Sequence, residues 1–140
     1  MNGHRFAIRV YYEDTDAGGV VYHANYLRFA ERARTEALRE AGVPHSDMVA
    51  IHGLMFMVRR VKLDYLAPAR LDDSLTVSTI PLGVKGASVD LLQSVWRGET
   101  ILAEAEIQLA CVQVASGRAG RIPPRWREAL AQMQAEHEES

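Results

Sequence analysis

The sequence predicts an α+β protein, with one antiparallel five-stranded sheet wrapped around one long helix and a further helix at the C-terminus. Three observations carry that prediction. Residues Asn25 to Ala41 repeat apolar positions at three- and four-residue steps, the period of a helix. Four β-rich segments then follow between Met55 and Cys111 with no helical period among them. In the last of these, Ile101, Ala103, Ala105, Ile107, Leu109 and Cys111 alternate with Glu104, Glu106 and Gln108, which marks a sheet with one buried face.

In chain order, Phe6 to Tyr12 is rich in β-branched and aromatic residues and reads as the first strand. Asp14 to Gly19 is a loop. The helix from Asn25 to Ala41 aligns Tyr26, Ala30, Ala33, Ala37 and Ala41, and its other faces carry charges that pair locally, as with Arg32 and Glu36. A stripe made mostly of alanine lets a sheet approach closely. Gly42 and Val43-Pro44 stop the helix, and a short connection follows. In the next strand Met55, Met57, Val61, Leu63 and Tyr65 are set against Arg60, Lys62 and Asp64. Ser74 to Ile80 and Ala87 to Trp96 form the next two strands, and Arg97-Gly98-Glu99 turns the chain into the fifth. Pro123-Pro124 opens a last helix reaching about Glu138, with Trp126, Leu130 and Met133 as its docking stripe. No repeat or linker interrupts the chain, so a single domain over 1–140 is expected.

Composition narrows the function. Hydrophobic residues make up 48% and charged residues 24% of the chain, a globular balance. A net charge of -2 and pI near 6.2 supply no overall basic field for nucleic acid or anionic lipid. No apolar run has the length of a membrane span or of a signal peptide, so a cytoplasmic location is expected. One cysteine, Cys111, excludes an intrachain disulfide and fits a reducing compartment; its place on the apolar phase of the last strand assigns it to the core. His4, His45, His52 and His137 show no ligand spacing and read as surface or loop residues.

The chemistry concentrates in Tyr11 to Arg34, "YYEDTDAGGVVYHANYLRFAERAR". Asp14 and Asp16 beside Gly18-Gly19 suit a polar turn with aspartates capping amides. A calcium loop does not fit, because its fifth position would be Gly18 and its twelfth Asn25 rather than glutamate. A third reading uses the helix start at Tyr22 to Asn25, whose unpaired amides and positive dipole end would stabilise an oxyanion beside a reacting carboxylate.

The stretch "YYEDTDAGGVVYHANY", with "ERARTEALRE", "DYLAPARLDD" and "GRAGRIPP", resembles the 4-hydroxybenzoyl-CoA thioesterase family of the hotdog-fold superfamily. It is most like the Tol–Pal system-associated acyl-CoA thioesterases, a subfamily linked to cell-envelope maintenance. The resemblance implies hydrolysis of short-chain or aromatic acyl-CoA without metal or organic cofactor. It makes Asp16 the catalytic carboxylate and the His23 backbone amide the group polarising the thioester carbonyl. Tyr22 and the His23 side chain would line the acyl pocket, with Asp14 and Thr15 tying the loop. Gly19 adds a second glycine where one suffices, which implies a looser loop. One carboxylate is chemically sufficient, since a thiol with pKa of about 8.5 leaves readily as thiolate. Attack by Asp16 itself and deprotonation of water both remain open.

Loop cations hold phosphates, and among Lys85, Arg118 and Arg121 the first and second are assigned to coenzyme A, against the alternative of solvated charges. Exposed sheet edges call for pairing, and the resemblance implies a homodimer with interfacial sites, often doubled into a homotetramer. Two rival activities are a hotdog dehydratase and an adaptor that binds acyl carrier protein, which is also an alternative donor of the thioester. A dehydratase needs a paired histidine and acid, and no such signature accompanies His23.

Overall fold

The computed structural model describes residues 3–139. Its elements are β1 (His4–Arg9), α1 (Asn25–Glu40), α2 (His45–His52), β2 (Leu54–Tyr65), β3 (Ser74–Val84), β4 (Ser88–Arg97), β5 (Thr100–Gln113) and α3 (Pro124–Glu139). The strands form one five-stranded antiparallel sheet in the order β1-β3-β4-β5-β2. This is the predicted α+β hotdog architecture.

One face of the sheet carries α1. The alanine stripe is real, with Ala30, Ala33 and Ala37 buried, but Phe29 and Leu38 are buried beside it and Ala41 is exposed. Phe29 sits with Val10, Val21, Tyr26, Leu75 and Val95 under the first half of the helix. Leu38 belongs to a second cluster with Leu91, Ile107, Leu109, Trp126 and Leu130, so α3 docks on the same face through the predicted stripe. Gln93 crosses the middle of this core. Its Nε2 donates to the Ala30 carbonyl and to Thr79 Oγ1, both at 2.8 Å, which ties helix to sheet with no buried amide hydrogen left over. Cys111 is buried, and burial pushes its thiol up, as a core position requires.

Five expectations need correction, one of them the phase of Ile101, which pairs with Trp96 while Ala103 pairs with Val95, so that a bulge at Leu102 takes Ile101 off the buried face. The first strand is His4–Arg9, because Tyr12–Asp14 coils into a 3-10 turn instead of extending. The connection after α1 holds α2, which is closed by Gly53 at φ 62; His45 and His52 therefore lie on a helix. Pro44 before the segment and Gly53 after it were the legible signals. Glu36 pairs with Arg39 in place of Arg32. The fifth correction is a phase error in β2. Phe56 pairs with Cys111 and Val58 with Leu109, then the register shifts so that Val61 pairs with Ile107 and Leu63 with Ala105. The extra residue, Arg59, inverts the alternation, so Met55 and Met57 lie on the opposite face from Val61 and Leu63.

Candidate active site

The Asp/Gly stretch folds back on itself immediately before α1. An antiparallel bridge joins Thr15 to Val21, the Asp16 amide donates to the Val20 carbonyl at 2.9 Å, and the Tyr22 amide donates to the Asp14 carbonyl at 2.9 Å. Val20 bridges to Arg70 and the Val21 amide donates to Ala69 at 2.8 Å, which pins this ribbon against the segment after β2. Gly19 closes the ribbon at φ 78, a left-handed conformation, and its amide donates to the Asp16 carbonyl. The second glycine therefore tightens the turn, contrary to the looser loop expected of it.

The two aspartates have opposite environments. Asp14 is buried; its Oδ2 accepts the Tyr11 amide and its Oδ1 accepts Asn25 Nδ2, each at 2.9 Å. It thus joins the 3-10 turn to the first residue of α1. Asp16 is exposed, and its Oδ1 accepts the Gly18 amide at 2.8 Å. Its second oxygen meets no protein donor among the described residues. Asp14 is built as a strut and Asp16 as a presented carboxylate. Asp14→Asn places an amide where two donors converge, so it should lower stability by about 1–3 kcal/mol, read as a lower melting temperature with little change in the turnover of the folded enzyme.

The helix start supplies free donors. The amides of Asn25, Tyr26 and Leu27 donate to the Tyr22, His23 and Ala24 carbonyls, whereas those of His23 and Ala24 have no protein acceptor among the described residues. Around them gathers an aromatic group. The rings of Tyr22 and His23 lie 4.4 Å apart, His23 meets Tyr65 edge-on at 6.3 Å, and Tyr65 meets Tyr26 edge-on at 5.4 Å. Tyr65 Oη donates to the His23 carbonyl at 2.9 Å, and the Tyr26 hydroxyl accepts the Ala69 amide at 3.0 Å. Burial, and then the neighbouring Tyr26, push the Tyr65 phenol up, which keeps it a proton donor. Neither Tyr65 nor Tyr26 is a predicted site residue, although Tyr65 is the second residue of the quoted "DYLAPARLDD" and Tyr26 the last of "YYEDTDAGGVVYHANY".

Asp16, Tyr22 and His23 thus share one ribbon and helix start. Lys85 and Arg118 do not join them. Lys85 lies in the β3–β4 turn, its amide donating to Ser88; Arg118 lies in the loop after β5, its carbonyl accepting the Gln113 amide. Both are exposed at the end of the sheet opposite the ribbon, with Arg121 beside Gly86 and Arg127 Nη2 donating to the Gly86 carbonyl at 3.0 Å. A cavity of about 630 Å³ between α3, β1 and the end of α1 touches none of the five predicted residues. Among the described residues no cluster of histidine, cysteine or acid side chains has metal-binding geometry, and no helix is long and apolar enough to cross a membrane.

The sheet and helices match a known class. The chain belongs to the thioesterase-like superfamily, whose model covers residues 10–130, and it is a thioester hydrolase. More particularly, it is 47% identical over 113 residues to the acyl-CoA thioesterase YbgC of Haemophilus influenzae, spanning 81% of this chain and 83% of that protein. It is 48% identical over 109 residues to the acyl-CoA thioester hydrolase YbgC of Escherichia coli O6:H1, with 77% and 81% covered. A probable thioesterase from Bartonella henselae superposes with a TM-score of 0.82 at 37% identity, over 86% of this chain and 98% of that one.

Proposed function

We propose that the protein hydrolyses acyl-CoA thioesters with Asp16 as the reacting carboxylate and the free His23 amide as oxyanion donor. The observation that carries this reading is the pairing of a carboxylate with one unengaged oxygen and a helix start with unengaged amides on a single pinned ribbon. The relatives named YbgC are acyl-CoA hydrolases, which supports the same substrate class here. In the reaction the carbonyl oxygen moves onto the amide as the tetrahedral centre forms. Asp16 either adds to the carbon, giving an anhydride that water opens, or takes a proton from the attacking water. The thiolate of coenzyme A leaves in both routes. Tyr22 and the His23 ring flank the acyl group. The test is a panel of acyl-CoA esters, from acetyl to palmitoyl with benzoyl included, read as thiol release. Absence of turnover on every ester would remove the reading.

The substrate is held across two copies of the chain. β2 is an edge strand of 12 residues and roughly 35 Å. Met57, Val58, Val61 and Tyr65 along it are 48%, 46%, 37% and 49% exposed, a long apolar edge of the kind that pairs. Arg118 lies beyond its Leu54 end, because the Val114 amide donates to Gly53; His23 lies at its Tyr65 end. The phosphopantetheine arm reaches at most about 20 Å by chain geometry, so one chain cannot offer both groups to one substrate. Two-fold pairing of β2 with β2 is antiparallel and brings the Arg118 end of one copy to the His23 end of the other. Lys85→Ala and Arg118→Ala should each raise KM several-fold with kcat little changed, and the difference should shrink in high salt. Unchanged KM in both variants returns these residues to solvated charges.

A further inference from the structure

We infer that Tyr65 is a positioning residue for the oxyanion site: its hydroxyl turns the His23–Ala24 peptide so that the Ala24 amide becomes a second donor beside that of His23. This rests on the proposed thioesterase site. Three consecutive carbonyls accept the first amides of α1. Tyr22 accepts Asn25 at 2.8 Å and Ala24 accepts Leu27 at 3.2 Å, but His23 accepts Tyr26 at 3.4 Å, the longest of the three. The shorter partner of the His23 carbonyl is Tyr65 Oη, at 2.9 Å. A side chain from the end of β2 has therefore taken over a carbonyl that the helix would otherwise hold.

Geometry carries the consequence across the peptide. Carbonyl and N–H point to opposite sides of a trans peptide plane, so drawing the His23 oxygen toward β2 swings the Ala24 N–H the other way. The Asn25 amide closes a four-residue turn onto the Tyr22 carbonyl, with Ala24 helical inside it at φ -67 and ψ -21, so the amides of His23 and Ala24 both face out of the helix start. Both amides lack a protein acceptor among the described residues. A hydrogen bond accepted by the carbonyl also polarises its own N–H and makes it a stronger donor. The edge-on contacts of Tyr65 with His23 and Tyr26 fix the ring that carries the hydroxyl. Tyr65 acts on the site through that peptide.

Tyr65→Phe keeps the ring contacts and deletes only the hydroxyl of a half-exposed residue. The expected result is a kcat lower by about tenfold, with KM within about twofold because uniform binding is untouched. Melting temperature and elution volume should match the unmodified enzyme. The His23 carbonyl carbon and the Ala24 amide should shift in NMR spectra while Gly18 and Gly19 stay in place, a readout that needs no turnover. Wild-type kcat in Tyr65→Phe overturns the inference, as does an unmoved Ala24 amide. Because Asp16→Asn is measured alongside, the two claims separate. Loss of turnover in Asp16→Asn with none in Tyr65→Phe sinks only the positioning role. Retained turnover in Asp16→Asn sinks the catalytic assignment, and the Tyr65→Phe shifts still decide whether the hydroxyl orients the peptide.

Discussion

Asp16→Asn is expected to lower kcat by a hundredfold or more, on the order of what loss of a positioned general base or nucleophile costs. Asparagine has nearly the shape of aspartate, and its side-chain oxygen can still accept the Gly18 amide that now holds Oδ1. The ribbon should therefore keep its form, and the melting temperature should move little because the residue is exposed. What disappears is the charge on the oxygen that no protein group engages. KM should stay close to wild type, since the acyl and phosphate contacts are made elsewhere. Steady-state thiol release beside a thermal melt reads both quantities. Retention of more than about a tenth of wild-type kcat, far above the expected loss, would reduce the two aspartates to a turn. The contrast with Asp14→Asn sharpens the result: the buried partner of Tyr11 and Asn25 should act on stability, and Asp16 on rate.

Much of the fold is legible in the sequence because single residues dominate the local choice. Gly42 ends α1, Gly98 turns β4 into β5, and the alternation from Ala103 to Cys111 leaves one face for the core, although a bulge at Leu102 puts Ile101 on the other face. The misreadings share a cause. A bulge at Arg59 adds one residue to β2 without any compositional mark, and one residue is enough to exchange the two faces. The α2 segment His45–His52 has no clean apolar stripe, with only Met48 buried, so periodicity does not announce it. The candidate site divides in the same way. Asp16, Tyr22 and His23 are close in sequence, and the ribbon that joins them is local. Tyr65 reaches the His23 carbonyl from 42 residues away, and such a contact exists only once β2 has been laid beside the helix start.

The second large effect is expected from the edge of β2. Val58 and Val61 lie on the helix side of the sheet, opposite Leu109 and Ile107, yet both are open in the single chain. Pairing two β2 edges would cover them and satisfy the outer backbone groups of both strands. Val58→Asp and Val61→Asp each set like charges close together across a two-fold axis, and neither residue belongs to a buried core cluster. Each variant should therefore fold, with circular dichroism and melting close to wild type, and run near 15.6 kDa in place of a multiple of it. Turnover should fall by on the order of a hundredfold, because a monomer offers the carboxylate and amides of one site without the second copy's cations and covering surface. Light scattering and thiol release on the same samples settle the matter. Wild-type enzyme diluted through its dimer dissociation constant should lose specific activity in step with the dimer fraction, as mass action demands. A wild-type protein that is monomeric at micromolar concentration, or a monomeric variant that turns over at the full rate, would show that each chain carries a complete site alone.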